Sequence, residues 1–169
     1  ISGIPGSEMN LDVVRPGETE IKNIKITRGG MDGKNVPYSG MVEPGIGYIS
    51  LTTFTRDAGR NVANALRDLK TESTDLKGVI LDLRGNGGGL LREAINVCNV
   101  FIPAEETVVT TRSKVVEADQ EYKTRTEPVD TEIELIVLID ENSASASEIV
   151  SGVMQDLDRG VIIGQLSYG

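Results

Sequence analysis

From Gly45 onward, short β-rich runs alternate three times with stretches of helical period, and this constrains the fold more than any other feature. Residues 46–54 form the first run, after which Ala58, Val62, Ala65, Leu66 and Leu69 recur on one face of a helix. Residues 78–83 form the second, followed by Leu91, Ala94, Ile95, Cys98 and Phe101 at helical spacing, with Pro103 as the stop. Residues 132–139 are the third, leading into a helix over 145–157 and a last strand over 161–163. A strand that rejoins its sheet in parallel needs a long crossover, ordinarily a helix. Three such units predict an α/β fold with a mostly parallel sheet covered by helices. Chemistry in such sheets gathers at the carboxyl ends of the strands, which singles out two loops, residues 84–89 and 140–147.

The first 28 residues read differently. Turns at Ile4-Pro5-Gly6-Ser7 and Arg15-Pro16-Gly17 bracket an extended segment over 11–14, and Ile21, Ile24 and Ile26 mark another strand. So few residues do not bury a core alone. Gly29-Gly30-Met31-Asp32-Gly33 gives a flexible boundary, and residues 29–44 are expected to be a linker before a main body over 45–169. Residues 107–112 and 121–125 read as two strands of an exposed excursion. The chain opens on Ile1 rather than Met, without a signal peptide, which suggests a piece of something longer.

Composition removes several functions. There is no histidine, so a Ser-His-Asp triad, a His-ligated zinc and a histidine general base are excluded among these 169 residues. Seventeen basic against 26 acidic residues give a net charge of -9, which disfavours nucleic acid as a partner. The run Leu135-Ile136-Val137-Leu138-Ile139 falls far short of the roughly 20 apolar residues that span a bilayer. Cys98 has no second cysteine to pair with and sits on an apolar helix face, as a core residue would.

The loop Arg84-Gly85-Asn86-Gly87-Gly88-Gly89 admits three readings. Gly85 and Gly87 have the G-x-G spacing of a dinucleotide fingerprint, but its third position falls on Leu90. Alternatively, glycines let backbone N–H groups converge on an oxyanion, or simply make a turn. In the second loop, Ser145 opens a helix whose partial positive charge favours a developing alkoxide. Ser145 with Glu148 three positions on equally fits a plain capping box. Asp82 and Asp140 both end strands, where two carboxylates could pair.

Taken together, Gly47-Tyr48-Ile49, Asp82-Leu83-Arg84-x-Asn86-x-Gly88-Gly89, Ser143-Ala144-Ser145-Ala146-Ser147-Glu148-Ile149, Gln155-Asp156 and Gly164-x-x-Ser167-Tyr168-Gly169 resemble the C-terminal (tail-specific) processing peptidases. These are serine-lysine proteases of bacterial envelopes and chloroplasts. The resemblance implies a core like those of ClpP and the crotonases and makes Ser145 the nucleophile. The Ala146 N–H and a glycine-loop N–H, that of Gly88, would form the oxyanion hole. Asp156 matches an acid needed for activity, and Glu148 a recurring position of structural character. The general base is a lysine immediately after Ser167-Tyr168-Gly169, so this piece is expected to stop one residue short of it and to be inactive alone.

Ile1-Ser2-Gly3-x-x-Gly6-Ser7 and Val14-Arg15-Pro16-Gly17 resemble the C-terminal part of the PDZ domain that precedes this catalytic core. The resemblance further implies protein substrates with unstructured C-termini, no cofactor, no nucleic acid, no membrane insertion of this segment, and a place in the periplasm, the cell envelope or a chloroplast lumen. Two alternatives stand beside it. Interphotoreceptor retinoid-binding proteins use the same core to hold hydrophobic ligands without proteolysis, and a nucleotide-binding α/β protein would use the glycine loop alone.

Overall fold

The computed structural model describes residues 3–4, 6–29, 33–112 and 119–169. The chain divides into two compact units, Ile1–Gly33 and Lys34–Gly169. In the first, β1 (Glu8–Val13) and β2 (Lys22–Thr27) form an antiparallel hairpin in which Glu8 faces Thr27 and Val13 faces Lys22. The Arg15-Pro16-Gly17 turn forms as expected, with Gly17 at a φ of 85° and the Glu18 N–H donating to the Arg15 carbonyl at 3.0 Å. Of the expected boundary glycines, Gly30 lies outside the described residues with Met31 and Asp32, as do Ile1, Ser2 and Pro5 at the start.

The second unit is built on a five-stranded sheet in the order β3 (Tyr38–Glu43), β4 (Ile46–Ser50), β5 (Gly78–Asp82), β8 (Glu134–Ile139), β9 (Val161–Gly164). The last four run parallel, and only the β3 edge is antiparallel. Among the described residues three helices complete the β-then-α alternation: α1 (Ala58–Glu72), α2 (Leu91–Phe101) and α3 (Ala146–Asp156). Between α2 and β8 the strands β6 (Thr107–Thr111) and β7 (Gln120–Lys123) pair as a separate hairpin.

Strand β3 overturns part of the expected linker. Residues 38–43 join the core sheet, with a bulge between Met41 and Glu43 before the turn at Gly45, where φ is 80°. Its sequence, Tyr38-Ser39-Gly40-Met41-Val42-Glu43, lacks clean alternation because an edge strand buries little. The Pro44-Gly45 turn just before β4 was the available signal for a hairpin. The first core strand is also shorter than its β-rich run: β4 ends at Ser50, and Phe54 makes only an isolated bridge to Gly89.

The core is aliphatic. Ile49, Val79, Leu81, Leu135 and Val137 of the sheet are buried with Val62, Leu66 and Leu69 of α1 and Val97, Cys98 and Phe101 of α2. Burial pushes the Cys98 thiol up to about 12, so it behaves as an inert core residue. Phe54 is fully buried and links this core to the glycine loop: its N–H donates to the Gly88 carbonyl at 3.0 Å, and its carbonyl accepts from Leu90 at 2.8 Å. Phe54→Ala should cost about 3–5 kcal/mol in urea unfolding, through the cavity it leaves.

Candidate active site

Both loops singled out by the alternation lie at the carboxyl ends of parallel strands, and hydrogen bonds stitch them together. Loop 84–89 follows β5. At its start the Asp82 carboxylate accepts from the Tyr48 hydroxyl at 2.5 Å, the Arg84 N–H at 2.9 Å and Arg84 Nη2 at 2.6 Å. Desolvation pushes this carboxyl up, but the Arg84 and Tyr48 hydrogen bonds outweigh it and hold the carboxyl below its ordinary value. Asp140, at the end of β8, accepts instead from Gly85 N–H at 2.9 Å and Asn142 N–H at 3.0 Å. The two acids are thus separately occupied as loop anchors, and the paired-carboxylate reading is set aside.

Asn86 is the pin between the loops and is fully buried. Its Nδ2 donates to the Leu51 carbonyl at 2.7 Å. Its own carbonyl accepts from Ala144 N–H at 3.1 Å and from Ser147 Oγ at 2.8 Å. Ser143 Oγ adds a second stitch, donating to the Leu83 carbonyl at 2.8 Å. Three loop N–H groups, those of Gly85, Asn86 and Gly88, are spent on Asp140, Leu83 and Asn86 respectively. The loop packs as a wall against the second loop, and with the Gly85 and Asn86 N–H groups committed and Leu90 in place of the third fingerprint glycine it offers no diphosphate cradle.

What that wall faces is Ser145. Gly88 has a φ of 96°, and a Cβ built on it would lie 2.7 Å from the Ala144 carbonyl oxygen, 2.9 Å from Ser145 Cβ and 3.0 Å from Ala146 N. Only glycine allows this approach. Ser145 itself is exposed and caps α3 at a φ of 55° and ψ of -111°, a sparsely populated conformation for a residue with a side chain. Such strain is held by the surroundings, here by Glu148, whose Oε2 accepts the Ser145 N–H at 2.6 Å.

The capping box is present, yet the Glu148 N–H bonds the Ser145 carbonyl at 2.9 Å and the hydroxyl makes no cap hydrogen bond of proper geometry. The cap therefore does not occupy the hydroxyl that a nucleophilic role would need. The Ser145 hydroxyl stays available at the positive end of α3.

Of the four site residues expected, the structure brings Ser145, Ala146 and Gly88 together. Ala146 is the first residue of α3, so its N–H has no intrahelical partner and is open to a ligand. The Gly88 N–H is donated to Asn86 Oδ1 at 2.9 Å. Asp156 is elsewhere: exposed at the last position of α3, it lies about 16 Å along the helix from Ser145 at 1.5 Å per residue. Among the described residues no three acids or cysteines converge as a metal site would require.

Glu148 does more than its spacing suggested. Its Oε1 accepts from Ser167 Oγ at 2.9 Å and from Gly169 N–H at 3.0 Å, while Tyr168 N–H donates to the Ser143 carbonyl at 3.0 Å. One carboxylate thus ties Ser145 to the segment 167–169. Desolvation raises its proton affinity, and the bonds from Ser145, Ser167 and Gly169 more than reverse this, leaving a lowered pKa. The stability so gained is present above the ordinary glutamate range and is lost as pH falls through the lowered folded value. Glu148→Gln should therefore cost about 1 kcal/mol at pH 7 and progressively less as the pH is lowered below the ordinary glutamate range, as measured by thermal unfolding across a pH series.

A family model described as Peptidase family S41 matches residues 45–169. The carboxy-terminal-processing protease of Bartonella bacilliformis is 39% identical over 169 residues, covering 99% of this chain and 38% of that protein. A carboxyl-terminal-processing protease of Synechocystis is 39% identical over 124 residues, 73% of this chain and 28% of its own length. This chain therefore spans well under half of either relative. Among solved structures, the photosystem II D1 C-terminal processing protease superposes with a TM-score of 0.70 at 25% identity, over 99% of this chain and 46% of that one. With the family model matched over residues 45–169, which hold Ser145 and both loops, and 39% identity to the Bartonella protease across 99% of the chain, the chain belongs to peptidase family S41.

Proposed function

We propose that the protein carrying this chain is a serine endopeptidase that cuts protein substrates near their C-termini. The observation that carries the reading is the juxtaposition of Ser145, strained at the start of α3 beside its own open Ala146 N–H, with the backbone of Gly88. Ser145 Oγ attacks the scissile carbonyl, and the new C–O bond places negative charge on the carbonyl oxygen. The Ala146 N–H stabilises that charge, a donor of this kind being worth about 2.7–4 kcal/mol. Gly88 supplies the second donor by sharing its N–H between Asn86 Oδ1 and the oxyanion.

The general base is the lysine that the family resemblance calls for directly after Gly169. Supporting it, Glu148 holds the Gly169 N–H and the Ser145 N–H on one carboxylate, so a residue directly after Gly169 would lie beside Ser145. To work near neutral pH, the lysine must fall from about 10.4 to about 7 or 8, the direction desolvation supplies. It takes the Ser145 proton during attack and returns it to the leaving amine, after which water hydrolyses the acyl-enzyme. Asp156, which the resemblance matches to an acid needed for activity, acts from the far end of α3 and touches none of the reacting atoms.

The β1–β2 hairpin is assigned on resemblance to the closing part of a PDZ domain, and the protein to an extracytoplasmic place; among the described residues no helix is long and apolar enough to cross a membrane. The test is intact-mass analysis of an unstructured substrate incubated with the full-length protein. A single shortened product lacking a C-terminal segment is expected, and an untouched substrate, or fragments cut throughout, would contradict the reading.

A further inference from the structure

Two cavities, of about 580 Å³ and 200 Å³, adjoin along the outer face of α2 and share Asn96, Asn99 and Thr126 as lining residues. Together they make one groove that starts at Leu91, directly after the glycine loop. Its charge opposes that of the molecule. The chain carries a net charge of -9, yet the groove is lined by Arg92, Lys123, Arg125, Arg60 and Arg67 against the single acid Glu127.

Several of these cations are not neutralised by neighbours. Arg60 pairs with Asp57 at 2.9 Å and Arg67 donates to Asn64, but the Lys123 pair to Glu121 is long at 3.7 Å. Arg92 and Arg125 are exposed and enter no ion pair among the described residues. Ile95 and Tyr122 add an apolar floor for a peptide backbone and side chains.

The groove is also within reach of the chemistry. Gly88 lies against Ser145, and Arg92 is four residues further along the chain, hence at most about 15 Å away. An extended peptide covers that distance in about four or five residues.

We infer that this groove binds an acidic, unstructured segment of the substrate that begins within about five residues of the bond that Ser145 attacks. The inference rests on the protease reading for its substrate and on the groove's charge for its selectivity. It makes the enzyme favour substrates with Asp or Glu near the cut, and that preference weakens with salt.

The test uses the full-length protein with Ser145→Ala, so that binding is read without cleavage. Anisotropy of a labelled acidic ten-residue peptide is compared with its Asn/Gln analogue and with a single-stranded oligonucleotide of equal charge. The acidic peptide should bind best, and Arg92→Glu with Arg125→Glu should weaken it about tenfold, while Lys77→Glu, outside the groove, leaves it unchanged. The milder pair Arg92→Gln with Arg125→Gln should give about threefold, which guards against a folding defect in the charge reversal. With Ser145 intact, the same variants should raise KM for an acidic substrate and leave kcat in place.

Equal binding of the neutral analogue, no response to either pair, or tighter binding of the oligonucleotide would overturn the groove assignment. The two readings fail separately. Cleavage without acidic preference removes the groove alone, whereas groove-dependent acidic binding by a wild-type protein that never cleaves removes the protease reading.

Discussion

Ser145→Ala in the full-length protein is expected to lower the cleavage rate of an unstructured substrate by at least about 10³-fold, with thermal unfolding essentially unchanged. The size of the loss follows from the covalent step. Without Oγ no acyl-enzyme forms, and only positioning and the oxyanion donors remain. The fold should tolerate the change because the Ser145 side chain is exposed, and the bonds that hold its loop come from its backbone and from Glu148, Ser143 and Ser147. Ser143→Ala and Ser147→Ala behave differently: each removes a buried loop stitch, so their first effect is on stability, about 1–3 kcal/mol. A Ser145→Ala protein that still cleaves at a tenth of the normal rate or better would place the nucleophile elsewhere.

Gly88→Ala should be nearly as damaging to activity while sparing most of the fold. The added methyl would press on the Ala144 carbonyl, Ser145 Cβ and Ala146 N at 2.7–3.0 Å, and the φ of 96° is strained for alanine. The loop and the nucleophile must then separate by a fraction of an ångström, and misplacement of that order at a reacting centre costs about 10²-fold. The neighbouring glycine supplies the control. A Cβ on Gly87 meets nothing within 4 Å and Gly87 is exposed, so Gly87→Ala should cleave at close to the normal rate. Equal losses in the two variants would mean that the loop matters for flexibility and not for contact.

The helices were legible because each buries one face and so carries a helical period, and the central parallel strands because burial on both sides makes them short continuous apolar runs. Helix α2 runs over Leu91–Phe101, the span marked by its apolar residues and closed before Pro103. Strand β3 was not legible, since an edge strand with Gly40 and a polar pattern has little to bury, and only Pro44-Gly45 pointed to it. At the site, the small residues around Ser145 and the glycines of loop 84–89 gave its location. They did not give the hydrogen bonds. That the Gly88 N–H turns to Asn86, and that Glu148 reaches Ser167 and Gly169, depends on contacts across long stretches of chain that no local spacing encodes. Asp156 illustrates the converse. Its spacing from Ser145 was read from a motif, whereas the geometry of α3 puts its carboxylate at the opposite end of the helix.

The central claim is that Ser145 Oγ is the nucleophile and Ala146 N–H faces the oxyanion. The most direct test is ¹¹B NMR of a peptide boronate bound to the full-length protein. A tetrahedral boron signal that is present with the wild-type protein and absent with Ser145→Ala is the predicted result. A boron that stays trigonal on the wild-type protein, or becomes tetrahedral on both, would contradict it.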